Sequence, residues 1–178
     1  MAAEGQVLSC FANDNESEAP DLEYRSIDHV ALAVLDLESA VHLFTSVLGF
    51  TLVRRRTVKG ARTGMLAAEL ESGAMKFVLC QGTEPQSQIS RLVDANGPGV
   101  AHIALEVDDV ARTVDELTAR GMRFDTSVIR GPGLTQAFTS RDPNTGLSFE
   151  LIKRTGEDGF VDSNIQSLFD QLEQSNSY

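Results

Sequence analysis

Two histidines occupy matching places in two short apolar runs of this sequence. His29 is the third residue of the run that begins at Ile27, and His102 is the third residue of the run that begins at Val100. Runs rich in β-branched and aliphatic residues predict strands. The repetition therefore predicts a fold built from two paired modules.

A single carboxylate distinguishes the ends of the two modules. Val78 follows His29 at almost the same distance as Glu150 follows His102, so we expect Val78 and Glu150 at equivalent places on the last strand of each module. Glu150 lies in an otherwise apolar run, where a carboxylate is costly unless it is paired or bound to a metal. Two imidazoles and one carboxylate are the ligands of the facial triad of non-haem Fe(II) oxygenases, which leaves coordination positions open.

Each of these three residues also has a simpler explanation. A single histidine in a strand is more often a hydrogen-bonded core residue, and Glu150 could lie on a solvent-exposed face. Three such residues at repeat-related positions favour one shared metal site at His29, His102 and Glu150. The third histidine, His42, lies off the apolar stripe of the first predicted helix and is expected at the surface.

The elements that position these residues recur in the same order in both halves of the chain. Asp36 is placed to cap a helix that Gly49 ends, and in the second half a helix begins after Asp108-Asp109 and ends at Gly121. Strands are predicted near 27–34, 50–57, 64–70, 75–81, 100–107, 122–128, 134–139 and 147–153. The predicted fold is α+β, with two tandem βαβββ modules (26–82 and 99–154) forming a curved sheet around a metal site.

Three segments lie outside this repeat. Residues 1–25 are acidic and poor in large apolar residues, which predicts a flexible tail. Ser87 is placed to cap a short connecting helix with Ile89, Leu92 and Val93 on its apolar side. Residues 155–178 carry an amphipathic stripe and predict a C-terminal lid helix.

The charge, hydropathy and cysteine content limit the binding partners and the cell compartment that we expect for this protein. The net charge of -11 argues against nucleic acid or an anionic membrane as a partner. We expect the run Arg54-Arg55-Arg56 to be a solvated strand edge. The absence of a long apolar run or a signal pattern predicts a cytoplasmic protein, and two cysteines give no disulfide framework. No phosphate-binding loop or nucleophile-elbow motif competes with the metal site.

The sequence resembles the vicinal oxygen chelate superfamily over about residues 26–174. Within it, the chain is most similar to the catalytic C-terminal half of 4-hydroxyphenylpyruvate dioxygenase and 4-hydroxymandelate synthase. The stretches that carry the resemblance are Ser87-Gln88-Ile89, Gly97-Pro98-Gly99-Val100-Ala101-His102-Ile103-Ala104-Leu105, Phe149-Glu150-Leu151-Ile152-Lys153-Arg154, and Gly159-Phe160 with Asn164 and Leu168-Phe169. The last is the most specific, because a helix after the final module is not general in the superfamily.

This resemblance implies an activity and a set of residues. Such enzymes use Fe(II) and O2 to decarboxylate and hydroxylate a 2-oxo acid substrate. The implied Fe(II) ligands are His29, His102 and Glu150, and the implied catalytic glutamines, which also orient the substrate, are Gln88 and Gln136. The remaining implied substrate-binding residues are Phe138 in the pocket and Phe160, Asn164, Ile165 and Phe169 in the lid. We also expect a homodimer, because exposed module edges and an acidic tail suit association.

The chain departs from the family pattern in ways that widen the substrate class. It lacks the family's N-terminal half, Ala101 replaces the usual glutamine before the histidine, and Ile165 replaces a lid phenylalanine. An aryl or an aliphatic 2-oxo acid other than 4-hydroxyphenylpyruvate therefore fits the pattern equally well.

Two other functions fit the same superfamily. One is a metal-dependent epimerase or isomerase of the methylmalonyl-CoA epimerase or glyoxalase I type, which would usually take a fourth ligand at the place of Val78. The other is a non-catalytic small-molecule-binding or resistance protein, and retention of all three ligand types counts against it.

Overall fold

The computed structural model describes residues 22–60 and 62–156. The first module contains β1 (Ser26–Ala33), α1 (Leu37–His42), β2 (Thr51–Lys59), β3 (Gly64–Ser72) and β4 (Met75–Gly82). The connecting helix is α2 (Gln88–Asn96). The second module contains β5 (Gly99–Glu106), α3 (Val110–Ala119), β6 (Ile129–Gly131), β7 (Leu134–Phe138) and β8 (Phe149–Arg154). The predicted pair of βαβββ modules is confirmed.

The helices begin where the sequence places their caps. The Asp36 carboxylate accepts a hydrogen bond from the Ser39 backbone N–H at 2.7 Å, and Asp109 accepts one from Arg112 at 3.2 Å. Ser87 caps α2 in the same way through the Ser90 backbone N–H. These side chains satisfy backbone donors that the first turn of a helix leaves unpaired.

The first helix differs from the prediction at its C-terminal end. After His42 the chain continues as a π-helical turn over Leu43–Val47, and the chain then turns at Gly49, whose φ is 78°. The wider turn rotates the end of the apolar stripe, so Phe44 is buried whereas Leu48 is exposed. His42 is exposed, as expected.

All eight strands form one curved sheet in the order β2-β3-β4-β1-β5-β8-β7-β6. The two modules meet at the antiparallel pair of β1 and β5, and each of these strands also pairs in parallel with the last strand of its own module. The histidine-containing strands are therefore neighbours at the centre of the sheet. This pairing positions the candidate site at the junction of the modules.

The two faces of the sheet have different neighbours. On the outer face, α1 packs on Ala68, Leu70 and Leu79, and α3 packs on Ala137 and Leu151. On the inner face, Ile89 and Leu92 of α2 pack on small residues, namely Ala31, Ala33, Ala67, Cys80 and Ala101. The small residues let α2 approach the inner face closely.

One strand prediction is wrong. The segment near 122–128 makes only an isolated bridge between Phe124 and Thr139, and the strand at this edge is the shorter β6. The Thr126 hydroxyl accepts a hydrogen bond from the Phe138 backbone N–H at 2.9 Å. Because this side chain takes the place of a backbone acceptor, the strand ladder is interrupted here.

Two predicted segments fall mostly outside the described residues. They are the acidic tail, of which only 22–25 are described, and the lid helix over 155–178, of which only 155 and 156 are described. In the described ranges, no helix combines the length and apolar character needed to cross a membrane.

Candidate metal centre

The three predicted ligands lie on adjacent strands at the centre of the sheet. His29 of β1 pairs with Ala104 of β5, and Ala104 in turn pairs with Glu150 of β8. His102 lies two residues before Ala104, so it extends from the same face. The small, fully buried Ala104 thus separates His29 from Glu150 and leaves space between their side chains.

The side chains converge on one point. His29 Nε2 lies 3.3 Å from Glu150 Oε2, His102 Nε2 lies 3.4 Å from the same oxygen, and the two Nε2 atoms lie 3.4 Å apart. The side chains of His29, His102 and Glu150 are 3%, 16% and 1% exposed. The three atoms that could bind a metal therefore form a nearly equilateral triangle, and their side chains are largely buried.

These residues fit a divalent transition metal. Two ligand atoms that each lie about 2.1 Å from one ion can be at most about 4.2 Å apart, so the separations of 3.3–3.4 Å observed here allow all three atoms to bind the same ion. Within residues 22–60 and 62–156, the second oxygen of Glu150, Oε1, is buried without a hydrogen-bond partner, which is unfavourable for a carboxylate unless something binds it. Imidazole nitrogen with carboxylate oxygen is a donor set that suits iron and zinc.

The protonation state of His102 is consistent with metal binding. Burial lowers the pKa of His102, and this effect outweighs the neighbouring Glu150 carboxylate, which favours the charged form. His102 is therefore neutral near neutral pH. A neutral imidazole is the form that binds metal ions.

The equivalence of Val78 and Glu150 is visible in the strand pairing. Val78 pairs with Ala31, two residues after His29, and Glu150 pairs with Ala104, two residues after His102. The first module thus has an apolar side chain at the place where the second module has a carboxylate. The described residues bring three candidate ligands together rather than four.

A β-bulge beside His29 supplies a feature that the sequence analysis missed. The register of β1 against β5 shifts between Ile27 and His29, so Asp28 is an extra residue in the strand. Asp28 Oδ1 lies 2.8 Å from His29 Nδ1, and the Asp28 carboxylate accepts two hydrogen bonds from Arg154, at 2.6 and 2.7 Å. Burial alone would raise the pKa of Asp28, but the hydrogen bonds from Arg154 and His29 hold it well below its usual value.

A cavity whose wall includes His29, His102 and Glu150 opens beside the three candidate ligand atoms. Its wall includes Gln136 and Phe138 together with apolar side chains such as Val58, Met65, Val78 and Cys80. Gln136 is buried, and neither its amide nitrogen nor its amide oxygen has a hydrogen-bond partner among the described residues. The edge-to-face contact between Phe138 and His102, with ring centroids 5.0 Å apart, packs the second histidine. The mainly apolar lining suits a small molecule with few polar groups.

The other predicted substrate residues are not brought to this cavity by the described part of the chain. Gln88 is buried at the start of α2, with its amide nitrogen unpaired, but it is not among the residues that line the cavity. The predicted lid residues Phe160, Asn164, Ile165 and Phe169 lie outside the described residues.

An ion pair in the cavity wall is a second feature that the sequence analysis missed. Arg56 Nε donates to Glu69 Oε1 at 2.8 Å, and the two side chains are 8% and 17% exposed. The expectation of a solvated strand edge holds for Arg55, which pairs with exposed Glu38, but is wrong for Arg56. Because this pairing depends on the β2–β3 register, residue types alone could not reveal it.

The comparison with known protein families agrees with this architecture. Residues 26–151 match the model of the Glyoxalase/Bleomycin resistance protein/Dioxygenase superfamily. The protein is a member of that superfamily. The family resemblance expected from the sequence is thereby confirmed.

Individual relatives of this superfamily member include a dioxygenase, a synthase and an epimerase. The 4-hydroxyphenylpyruvate dioxygenase of Legionella pneumophila (strain Corby) is 27% identical over 186 residues, covering 84% of this chain and 53% of the relative. A mutant of 4-hydroxymandelate synthase from Streptomyces coelicolor is 25% identical with a TM-score of 0.74, covering 85% of this chain and 54% of the other. Methylmalonyl-CoA epimerase from Mycobacterium tuberculosis is 26% identical with a TM-score of 0.62, covering 74% and 89%.

These matches extend over different shares of the relatives. The chain spans about half the length of the curated dioxygenases that it matches. It spans nearly all of the epimerase from Mycobacterium tuberculosis. Membership of the superfamily establishes the fold, and the choice between oxygenase and epimerase chemistry depends on the site.

Proposed function

We propose that this protein is a non-haem Fe(II) dioxygenase that decarboxylates and hydroxylates a 2-oxo acid. The observation that carries the proposal is the convergence of His29, His102 and Glu150, with Val78 at the place where a fourth ligand would stand. Three protein ligands on one face leave room for both a bidentate substrate and O2. The relatives named 4-hydroxyphenylpyruvate dioxygenase and 4-hydroxymandelate synthase support the same chemistry.

The chain's residues divide into ligands and substrate-binding groups. His29, His102 and Glu150 would hold Fe(II), which when bound supplies activation of O2 for oxidative decarboxylation and hydroxylation. Gln136 would form hydrogen bonds with substrate oxygens, because it lines the cavity and both of its amide atoms are unpaired in the part of the chain that the structure describes. Phe138 and the apolar wall would exclude water from the reaction.

The proposed substrate class is an aryl or aliphatic 2-oxo acid. We keep Gln88 as a proposed substrate-orienting residue and Phe160, Asn164, Ile165 and Phe169 as proposed lid residues. For Gln88, this proposal requires a movement of the start of α2 toward the cavity, since the side chain does not line it in the structure. A homodimer in the cytoplasm remains part of the same proposal.

The test is oxygen uptake by anaerobically Fe(II)-loaded protein with a panel of aryl and aliphatic 2-oxo acids. We expect stoichiometric release of CO2 and consumption of O2 with at least one member of the panel. A Glu150→Gln variant is the control, because it keeps the size of the side chain but removes the charged ligand. The proposal fails if wild-type protein that has taken up Fe(II) consumes no oxygen with any substrate.

An epimerase is the second candidate, favoured by the nearly complete overlap with methylmalonyl-CoA epimerase. Such an enzyme would remove and return a proton beside a carbonyl without consuming oxygen. Exchange of a substrate α-proton with D2O under argon, in metal-loaded protein that shows no oxygen uptake, would establish this alternative.

A further inference from the structure

A buried chain of three side chains connects the far end of β8 to the candidate ligand His29. Arg154 binds the Asp28 carboxylate with two hydrogen bonds, and Asp28 in turn contacts His29 Nδ1. We infer that Asp28 and Arg154 are positioning residues that fix the ring of His29 with its hydrogen on Nδ1 and its Nε2 lone pair toward the metal. This inference rests on the proposed metal site.

These contacts allow the imidazole ring of His29 only one tautomer and one orientation. A carboxylate only accepts hydrogen bonds when it is ionised, so the nitrogen 2.8 Å from Asp28 Oδ1 must carry the hydrogen. The opposite nitrogen, Nε2, is the atom that lies beside Glu150 and His102. Metal-binding histidines are commonly oriented by a carboxylate at the second ring nitrogen, and loss of that partner typically weakens metal binding by about 10–100-fold.

The bulge in β1 is what brings Asp28 to His29. In a regular strand, consecutive side chains extend from opposite faces. The extra residue at Asp28 breaks this alternation, so the carboxylate reaches the histidine beside it. The Asp28 side chain is only 6% exposed, and placing a charge there is costly without the two hydrogen bonds from Arg154.

Arg154 connects strands that do not pair with each other. β1 and β8 lie on either side of β5, so the guanidinium group reaches across the central strand to Asp28. β8 also supplies Glu150, four residues earlier. One strand therefore provides a candidate ligand and also anchors the residue that orients another.

Among the residues that the structure describes, the second histidine has no such pair of orienting side chains. Its preceding residue, Ala101, is likewise the extra residue of a bulge, because Ala31 pairs with His102 and Leu32 with Val100. Ala101 has no polar side chain, and its backbone carbonyl accepts a hydrogen bond from Arg141 at 2.6 Å. His102 is held by packing against Phe138 instead. The two histidines are therefore fixed by different means, and only His29 should depend on a carboxylate.

The experiment compares Asp28→Asn with Asp108→Asn in the full chain. The amide introduced by Asp28→Asn could donate as well as accept at the same distance, so it would no longer impose one orientation on the ring. Asp108 forms an equally close two-bond pair with Arg25, but this pair is exposed and neither residue lines the cavity beside the candidate ligands. Its substitution controls for the loss of an arginine–aspartate pair.

Two readouts separate positioning from a structural role. The first is the dissociation constant for Fe(II), measured anaerobically, for which we expect an increase of about 10–100-fold in Asp28→Asn and no change in Asp108→Asn. The second is the Nδ1–H resonance of His29 in Zn(II)-loaded, ¹⁵N-histidine-labelled protein. The chain has three histidines, so a His42→Ala variant simplifies assignment. We expect this resonance to move upfield and to exchange faster with solvent in Asp28→Asn.

A second variant keeps the inference testable if Asp28→Asn does not fold. Arg154→Met retains the carboxylate but removes its anchor, and we expect a smaller rise in the dissociation constant with a broadened His29 resonance. The inference is overturned if wild-type protein binds metal and either Asp28→Asn or Arg154→Met folds but has the same dissociation constant and the same His29 resonance as Asp108→Asn. If wild-type protein binds neither Fe(II) nor Zn(II), the proposed metal site itself is wrong, which is a distinguishable result.

Discussion

At the scale of single residues, the number of candidate ligands depends on one position. Val78 and Glu150 occupy equivalent places in the two modules, and only Glu150 can bind a metal. Gln136, on the strand beside Glu150, adds a second buried polar group that has no hydrogen-bond partner in the described ranges. A buried polar atom without a hydrogen-bond partner lowers the stability of the fold unless a bound molecule pairs with it. The residue chemistry therefore points to a site built for exchangeable ligands.

A substitution at Val78 tests whether oxygen uptake needs metal coordination positions that no protein side chain occupies. We expect Val78→Glu to retain metal binding, because a second carboxylate would face the same site from the first module. Oxygen uptake should fall by at least about 10-fold, since a fourth protein ligand would occupy a position that substrate or O2 requires. Metal content and oxygen uptake are measured together, with Val78→Leu as the control for size. Undiminished uptake in a metal-loaded Val78→Glu protein would contradict the three-ligand interpretation.

At the scale of elements, the site depends on how closely the central strands bring their side chains together. Ala104 of β5 pairs with His29 on one side and with Glu150 on the other, and it is fully buried. A larger residue there would extend from the same face as the ligands. The spacing of the candidate ligands is therefore set by a small residue that itself carries no chemistry.

The prediction at this scale is that Ala104→Val removes metal binding from a protein that still folds. Overpacking a core position typically costs about 1–3 kcal/mol of unfolding free energy, which most domains tolerate. Ala137→Val is the matched control, because Ala137 is also fully buried in a strand but packs on the outer face with α3. Urea unfolding should show similar losses in both variants. Metal titration should distinguish them, and equal metal affinity in the two variants would show that Ala104 does not set the site.

At the scale of the whole molecule, the candidate site connects the two modules. β1 belongs to the first module, whereas β5 and β8 belong to the second, and the sheet is continuous across this boundary. The Asp28–Arg154 pair crosses the same boundary on the inner face, and the exposed Arg25–Asp108 pair joins the segments flanking β1 and β5. Occupation of the site would therefore stabilise the association of the two halves.

This arrangement predicts a thermal shift on metal binding. At a free metal concentration about 100 times the dissociation constant, binding adds about 2.7 kcal/mol to the unfolding free energy. For a domain of this size, that corresponds to an increase in Tm of roughly 5–10 °C. Differential scanning calorimetry of protein with Zn(II), with and without a chelator, measures the shift. His102→Ala should abolish it, whereas the exposed His42→Ala should not, and a shift that survives in His102→Ala would place the metal elsewhere.

The local elements and the candidate ligands were within reach of the sequence. Caps such as Asp36 and Asp109 act within a few residues, and apolar periodicity reports which face of a helix or strand is buried. The two histidine runs and the charged Glu150 in an apolar strand are also local signals. Because the second module repeats the first, comparison of the halves predicts the equivalence of Val78 and Glu150 without any knowledge of tertiary contacts.

The tertiary structure decided what depends on strand register and on contacts between distant segments. A bulge turns Asp28 toward His29, the β2–β3 hairpin turns Arg56 inward to Glu69, and Thr126 interrupts a strand that the apolar pattern predicted. None of these follows from residue type or spacing, because a shift of one residue in pairing moves a side chain to the opposite face of a sheet. The sequence alone thus determined which residues could bind a metal, and only the folded sheet determined which groups orient those residues and line the cavity beside them.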